Sequence, residues 1–347
     1  MKTKFTLSVL VLILSFFQLS GQDYHFSQYF NTPLLLNPAL TGFFNGDQRA
    51  GIYYRNQWKR IMNPYVTYGF GGDARLLSNS RQTGYLSGGL SVMKDQAGES
   101  DFALTQVLFS VAYHQKISLG SVLTGGIQGG FGQRTINKEN LIWGNQYDPN
   151  IDNFDLDKDP REPLINERFN QSDLSGGILY SFISEDSKMS SNDGFRMNIG
   201  ASFYHFHKPK NSFTGEDFKM CSKFVVHGNS LIGIGQTNIA ISPGFLYMVQ
   251  GSSSQLLVGG LYRYMFREQS KYTRNIKESA MSLGCYYRMN DAVIPYVGIE
   301  FANFMLGVSY DTNISGLRRA TKQVGGIEFN LSYINPNPFK QQSRSFY

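Results

Sequence analysis

The stretch "NFMLGVSYD", residues 303–311, decides the fold. Phe304, Leu306, Val308 and Tyr310 are apolar, and Met305, Gly307, Ser309 and Asp311 stand between them. Successive side chains of a β-strand point to opposite faces, so a two-residue period marks a strand with one apolar face. The same rhythm runs outward from this stretch. In 326–333, Ile327, Phe329, Leu331 and Tyr333 alternate with Gly326, Glu328, Asn330 and Ser332. In 49–58, Ala50, Ile52, Tyr54 and Trp58 alternate with Arg49, Gly51, Tyr53, Arg55 and Gln57.

About fourteen such segments follow one another, near 47–58, 64–75, 83–94, 102–114, 121–134, 171–183, 195–207, 222–234, 236–249, 254–267, 278–289, 292–301, 303–312 and 323–334. "MND" at 289–291 and the bend at Ala302 read as tight turns. The connections 135–170, 184–194, 208–220 and 268–277 are longer and polar, and turns on one side with loops on the other suit a membrane barrel.

A soluble barrel turns its apolar phase inward and carries a richly charged outer phase. Here the second phase is Gly, Ser, Asn, Gln and Tyr with sparse charges of both signs, which reads as a polar lumen. The mature chain has no apolar run near the ~20 residues of a spanning helix. Lipid leaves no water for unpaired backbone, so a closed sheet is the other way across. The expected fold is all-β, a transmembrane antiparallel β-barrel of about 14 strands with an extended N-terminal segment. The 14 % aromatic and 17 % charged residues agree with it.

The expected organisation has four parts. Lys2, Lys4 and the run "FTLSVLVLILSFF" describe a signal peptide, residues 1–21, cleaved after Gly21. Residues 22–45 mix aromatics with Asn, Pro and Gly and form an extended segment. The barrel takes 46–334, and a tail with Pro336 and Pro338 takes 335–347. Part of the formal charge of +6 sits on the leader, and the remaining cations are scattered, so nucleic acid is not an expected partner. Cys221 and Cys285 can pair or stay free.

Two stretches are more specific than periodicity. "QDYHFSQYFNTPLLLNPALTGFFNGDQRAGIYYRNQW" at the mature start and "VSYDTNISGLRRATKQVGGIEFNLSY" near the end resemble the PorP/SprF family of outer-membrane proteins of the Bacteroidota type IX secretion system. Phe26, Ser27, Gln28, Asn37, Pro38, Arg49, Arg55 and Trp58 carry the first match; Tyr310, Asp311, Asn313, Gly326 and Glu328 carry the second. The resemblance implies a barrel of the secretion and gliding machinery that binds or retains secreted cargo at the cell surface. The implied partners are machinery components, cargo proteins and membrane lipid. Members commonly stop at or just after the last strand, so residues after Ile334 depart from the pattern. The alternative function is a porin or fatty-acid-transporter-like channel for small solutes.

Chemistry is sparse. No G-x-S-x-G or H-E-x-x-H is present, "GGFGQRT" at 129–135 lacks the third glycine of a dinucleotide loop, and no enzyme activity or cofactor is expected. His205 and His207 are expected on one face of a strand. Asp155, Asp157 and Asp159 form a weak calcium candidate, with Pro160 where a calcium loop needs Gly. Arg49, Arg55 and Gln57 share the inner phase of the first strand, and Asp311 and Glu328 that of the last strands. First and last strands are neighbours in a closed barrel. These five are expected to form a lumen or seam charge network. Phe26, Tyr29, Asn37 and Pro38 are the candidates for partner binding; a packed lead-in or a strap in the barrel mouth stands beside that reading.

Overall fold

The computed structural model describes residues 23–59, 63–78, 84–98, 100–161, 166–184, 194–213, 217–235, 237–267, 279–316 and 324–335. The expected leader, its cleavage site and the tail from 336 on lie outside these residues.

The described residues form a closed barrel of 14 antiparallel strands. In chain order the strands are β1 Gln48–Gln57, β2 Tyr65–Ser78, β3 Gly84–Ala97, β4 Phe102–Ser118, β5 Ser121–Thr135, β8 Arg168–Ile183, β9 Phe195–Tyr204, β10 Lys223–Gly233, β11 Ile239–Gln250, β12 Ser253–Arg267, β13 Ser279–Arg288, β14 Ala292–Phe301, β15 Phe304–Asn313 and β16 Val324–Asn335. The numbers 6 and 7 belong to a small ribbon outside the wall, β6 Tyr147–Asp148 and β7 Asn153–Phe154. Each wall strand pairs with its chain neighbour, and β1 pairs with β16 to close the sheet. Every segment expected from the two-residue period overlaps one of these strands.

The apolar phase faces outward. Ile52, Phe109, Ile127 and Phe131 are exposed, Phe131 to 70 %, while Ser87, Ser110, Thr124 and Gln128 between or opposite them are buried. Such an exterior is unstable in water and stable in hydrocarbon. No described helix is long and apolar enough to cross a membrane.

Strand direction defines two ends. β1 begins and β16 finishes at one, called the terminal end; the connections 136–167 and 205–222 are at the other, the loop end. Connection length sorts only in part between the ends: the two longest connections, 136–167 and 205–222, are both at the loop end, but others break the pattern. The long 184–194 and 268–278 return at the terminal end, and the tight turns 251–252 and 289–291 lie at the loop end. Strand parity alone decides the end. Both tight turns read from the sequence contain a left-handed residue, Asn290 at φ 60° and Ala302 at φ 58°.

Candidate functional site

The lumen is filled by the chain itself. Residues 23–47 contain only short turns, 29–31, 33–36 and 38–40, with Pro33 and Pro38 each opening one. Proline at the first helical position gives up an amide that has no partner there anyway. The path is fixed by its contacts. Asp23 lies at the loop end, where its amide donates to Gln250 Oε1 at 3.0 Å and its carboxylate meets His205 and Lys223. Gly46 lies at the terminal end against Ile334 and Asn335. The strap therefore crosses the whole lumen before β1 begins.

At the loop end, His205 Nε2 is 2.7 Å from Asp23 Oδ2 and Nδ1 is 2.9 Å from Asp173 Oδ1. Both partners are acceptors, so the ring donates twice and is an imidazolium. Lys223 Nζ adds a second cation 2.9 Å from Asp23 Oδ2. Burial works against each charge. The bonds to Asp173 and Asp23 nevertheless raise His205 above the ordinary imidazole value. Lys223 and His205 hold the Asp23 carboxyl well below the usual carboxylate range.

Deeper in, two guanidiniums and two carboxylates form the seam cluster. Arg55 of β1 and Glu328 of β16 are register partners, with Nε to Oε1 at 3.2 Å. Arg288 Nη2 donates to Asp311 Oδ2 at 2.9 Å, and Arg55 Nη2 is 3.9 Å from the same oxygen. The strap is tied into this cluster. The amides of Ser27 and Gln28 donate to the two oxygens of Glu328 at 2.8 and 2.9 Å. Ser27 Oγ donates to Asp311 Oδ2 at 2.8 Å, Arg288 donates to Ser27 Oγ, and Arg55 donates to the carbonyl of His25. Hydrogen bonds to ionised groups are roughly twice as strong as neutral ones, and buried charges are tolerated only when paired in this way.

Midway, Asn37 is completely buried. Its Nδ2 donates to the carbonyls of Ile178 at 3.0 Å and Ala201 at 3.3 Å, facing His227 Nε2 at 3.1 Å. Its Oδ1 accepts from the Ala39 amide at 2.9 Å. The wall makes room by omission: a Cβ on Gly177 would stand 2.0 Å from Asn37 Oδ1, and one on Gly126 2.4 Å from the Pro38 carbonyl carbon. Near the terminal end, Asp73 accepts from the Gly42 amide at 2.7 Å and pairs with Arg49 at 2.7 Å; Arg49 also donates to the Leu40 carbonyl at 3.2 Å. Apolar contacts complete the seating, with Tyr29 and Leu36 against Val225, Leu246, Leu257 and Tyr286, and Phe26 against Tyr53 and Met93.

The residues singled out in the sequence are distributed as follows. Arg55, Asp311 and Glu328 meet at the seam. Arg49 pairs elsewhere, with Asp73, and Gln57 faces Tyr65 and Gly326, two register pairs beyond Arg55 and Glu328. Phe26, Tyr29, Asn37 and Pro38 are buried inside the barrel, so a partner reaches them only after the strap has moved. The calcium candidate does not assemble: Asp155 and Asp159 accept from the backbone amides of Asp157 and Arg161, and no group of three metal-ligating side chains converges among the described residues. Nor do His205 and His207 share a strand face. β9 ends at Tyr204, His205 turns left-handed at φ 60° and is buried, and His207 is exposed. Cys221 and Cys285 form no disulfide with each other, and Cys285 lies on the outer surface.

Periodicity did not single out Asp23, Asp173 or Lys223, because contacts between a strap and a wall have no sequence period. Ser27 and Gln28 were visible only as part of the first family match, and Arg288 and Asp73 belonged only to the sparse charges of the polar phase.

A closed antiparallel barrel with an apolar exterior and a polar, ion-paired interior is an outer-membrane protein of the β-barrel class. The model of the type IX secretion system membrane protein PorP/SprF matches residues 18–333, and the chain belongs to that family. No curated protein matches the sequence. Among solved structures, the toluene transporter TodX of Pseudomonas putida is similar at 10 % identity over 87 % of this chain and 93 % of that one, TM-score 0.46. BamA from Haemophilus ducreyi is similar at 11 % identity over 83 % and 70 %, TM-score 0.41.

Proposed function

We propose that this barrel is a non-enzymatic platform of the type IX machinery, binding or retaining secreted cargo at the cell surface and contacting machinery partners. Membership of the family supports the secretion role. The observation that carries the platform reading over a channel is the occupied lumen: the strap is fastened at the loop end, the seam, the middle and the terminal end. A solute channel of the kind set out as the alternative needs that strap to leave, which breaks several buried charge-assisted bonds at once. The seam cluster serves to hold the barrel closed around the strap.

Deletion of the gene followed by surface proteomics separates the two. Loss of secreted or surface-attached proteins supports the platform. A solute-uptake defect with secretion intact removes it.

A further inference from the structure

The outward rows of the barrel are almost free of charge. Among the strand residues whose side chains are described, only Arg168, the first residue of β8, and Lys94 of β3 are charged on that face. Lys94 is exposed and stands three residues inside the end of its strand, so it reaches into the zone where a bilayer's hydrocarbon meets its headgroups. None of the described residues forms an ion pair with it. A lysine in this position keeps its stem in the apolar layer and its ammonium at the interface, within reach of anionic headgroups.

What lies beneath Lys94 is a groove, not a flat wall. It has a volume of about 460 Å³ and crosses the seam. Two outward rows build it. Leu331, Ile52, Phe70 and Val92 are cross-strand neighbours in one row. Tyr54, Tyr68 and Lys94 continue the next row, one step nearer the loop end. The outward Tyr54 and Tyr68 rings pack at 5.4 Å. Trp and Tyr gather at membrane interfaces, which places this corner at headgroup depth. The apolar cleft points toward the membrane centre and the cation toward the headgroups, the polarity of a lipid molecule.

The longest connections mark the loop end as the outward-facing one in an outer-membrane barrel. We propose that this groove is a binding site for a phosphorylated glycolipid of the outer leaflet, lipid A, with an acyl chain along the Ile52–Val92 row and a phosphate on Lys94. Charge complementarity selects a phosphate over a neutral headgroup, and the position near the loop end selects the outer leaflet over phospholipid.

The test is native mass spectrometry of the detergent-purified protein mixed with diphosphoryl lipid A, its dephosphorylated form or phosphatidylglycerol. Wild type and Lys94→Arg are expected to retain diphosphoryl lipid A about tenfold better than Lys94→Gln, the effect of one charge-assisted contact. Wild type is expected to discriminate against the dephosphorylated lipid by a similar factor, a comparison that needs no variant. Equal retention by Lys94→Gln and wild type overturns the site. Equal retention of phosphatidylglycerol and diphosphoryl lipid A overturns the assignment to lipid A.

Discussion

Arg55 and Glu328 stand opposite each other across the seam that closes the barrel, the first 4 % and the second 1 % exposed, and both also hold the strap. Wall closure and lumen filling therefore share the same two charges. Arg55→Glu puts a third carboxylate beside Glu328 and Asp311 and removes the donor to His25. Breaking a buried pair costs about 3–5 kcal/mol. The folded band in semi-native electrophoresis is expected to convert to the unfolded band at a clearly lower temperature; unchanged heat-modified mobility would remove the seam role.

Residues 23–45 fill the lumen, so the intact protein is expected to be nearly silent in planar bilayers. A chain lacking this segment, if it inserts, is expected to give stepwise conductance and a lower unfolding temperature. A deletion variant that folds and stays silent would show that wall side chains alone close the interior.

Asn37 satisfies two wall carbonyls and one strap amide from a fully buried position. Asn37→Ala leaves those groups unpaired, at about 1–3 kcal/mol each in the worst case. Faster amide exchange is expected around 33–42, with β8 and β9 still protected. Exchange at the wild-type rate would mean that the strap does not depend on this anchor.

The loop-end latch holds two titrating groups with opposite pH dependence. His205 is raised above its ordinary value, so its contribution is complete below about pH 6.5 and is lost as pH rises through the raised value. Asp23 is pulled down, so its share is complete above about pH 4 and is lost only in strong acid. After correction for the intrinsic rate, exchange protection of residues 24–28 is expected to fall as pH rises above about 6.5, and His205→Gln is expected to flatten that change. Identical protection across the range would count against the latch.

Most of the wall was legible because a membrane barrel has a simple physical code. One face of each strand meets hydrocarbon, the alternation follows, and Ile327, Phe329 and Leu331 reveal it without reference to any other strand. The seam partners were legible for a related reason: closure makes the first and last strands neighbours, so inner-phase Arg55 and Glu328 had to be near each other. The strap was not legible as a lumen filler. Its aromatics Phe26 and Tyr29 have the same composition as a docking surface, and only three-dimensional contacts show that they face Tyr53 and Tyr286. His205 was misplaced because an H-x-H pattern assumes that the strand continues, whereas the chain turns at Tyr204. The acidic run 155–159 satisfies its own backbone, which sequence spacing does not distinguish from a cation cage.

The strap begins at one mouth and hands over to β1 at the other. A ring of strands cannot shut first and be filled afterwards without threading a free end through a crowded pore. The simplest order of assembly lays residues 23–47 across the open, curling sheet and lets β16 meet β1 last, over a cargo that is part of the same chain.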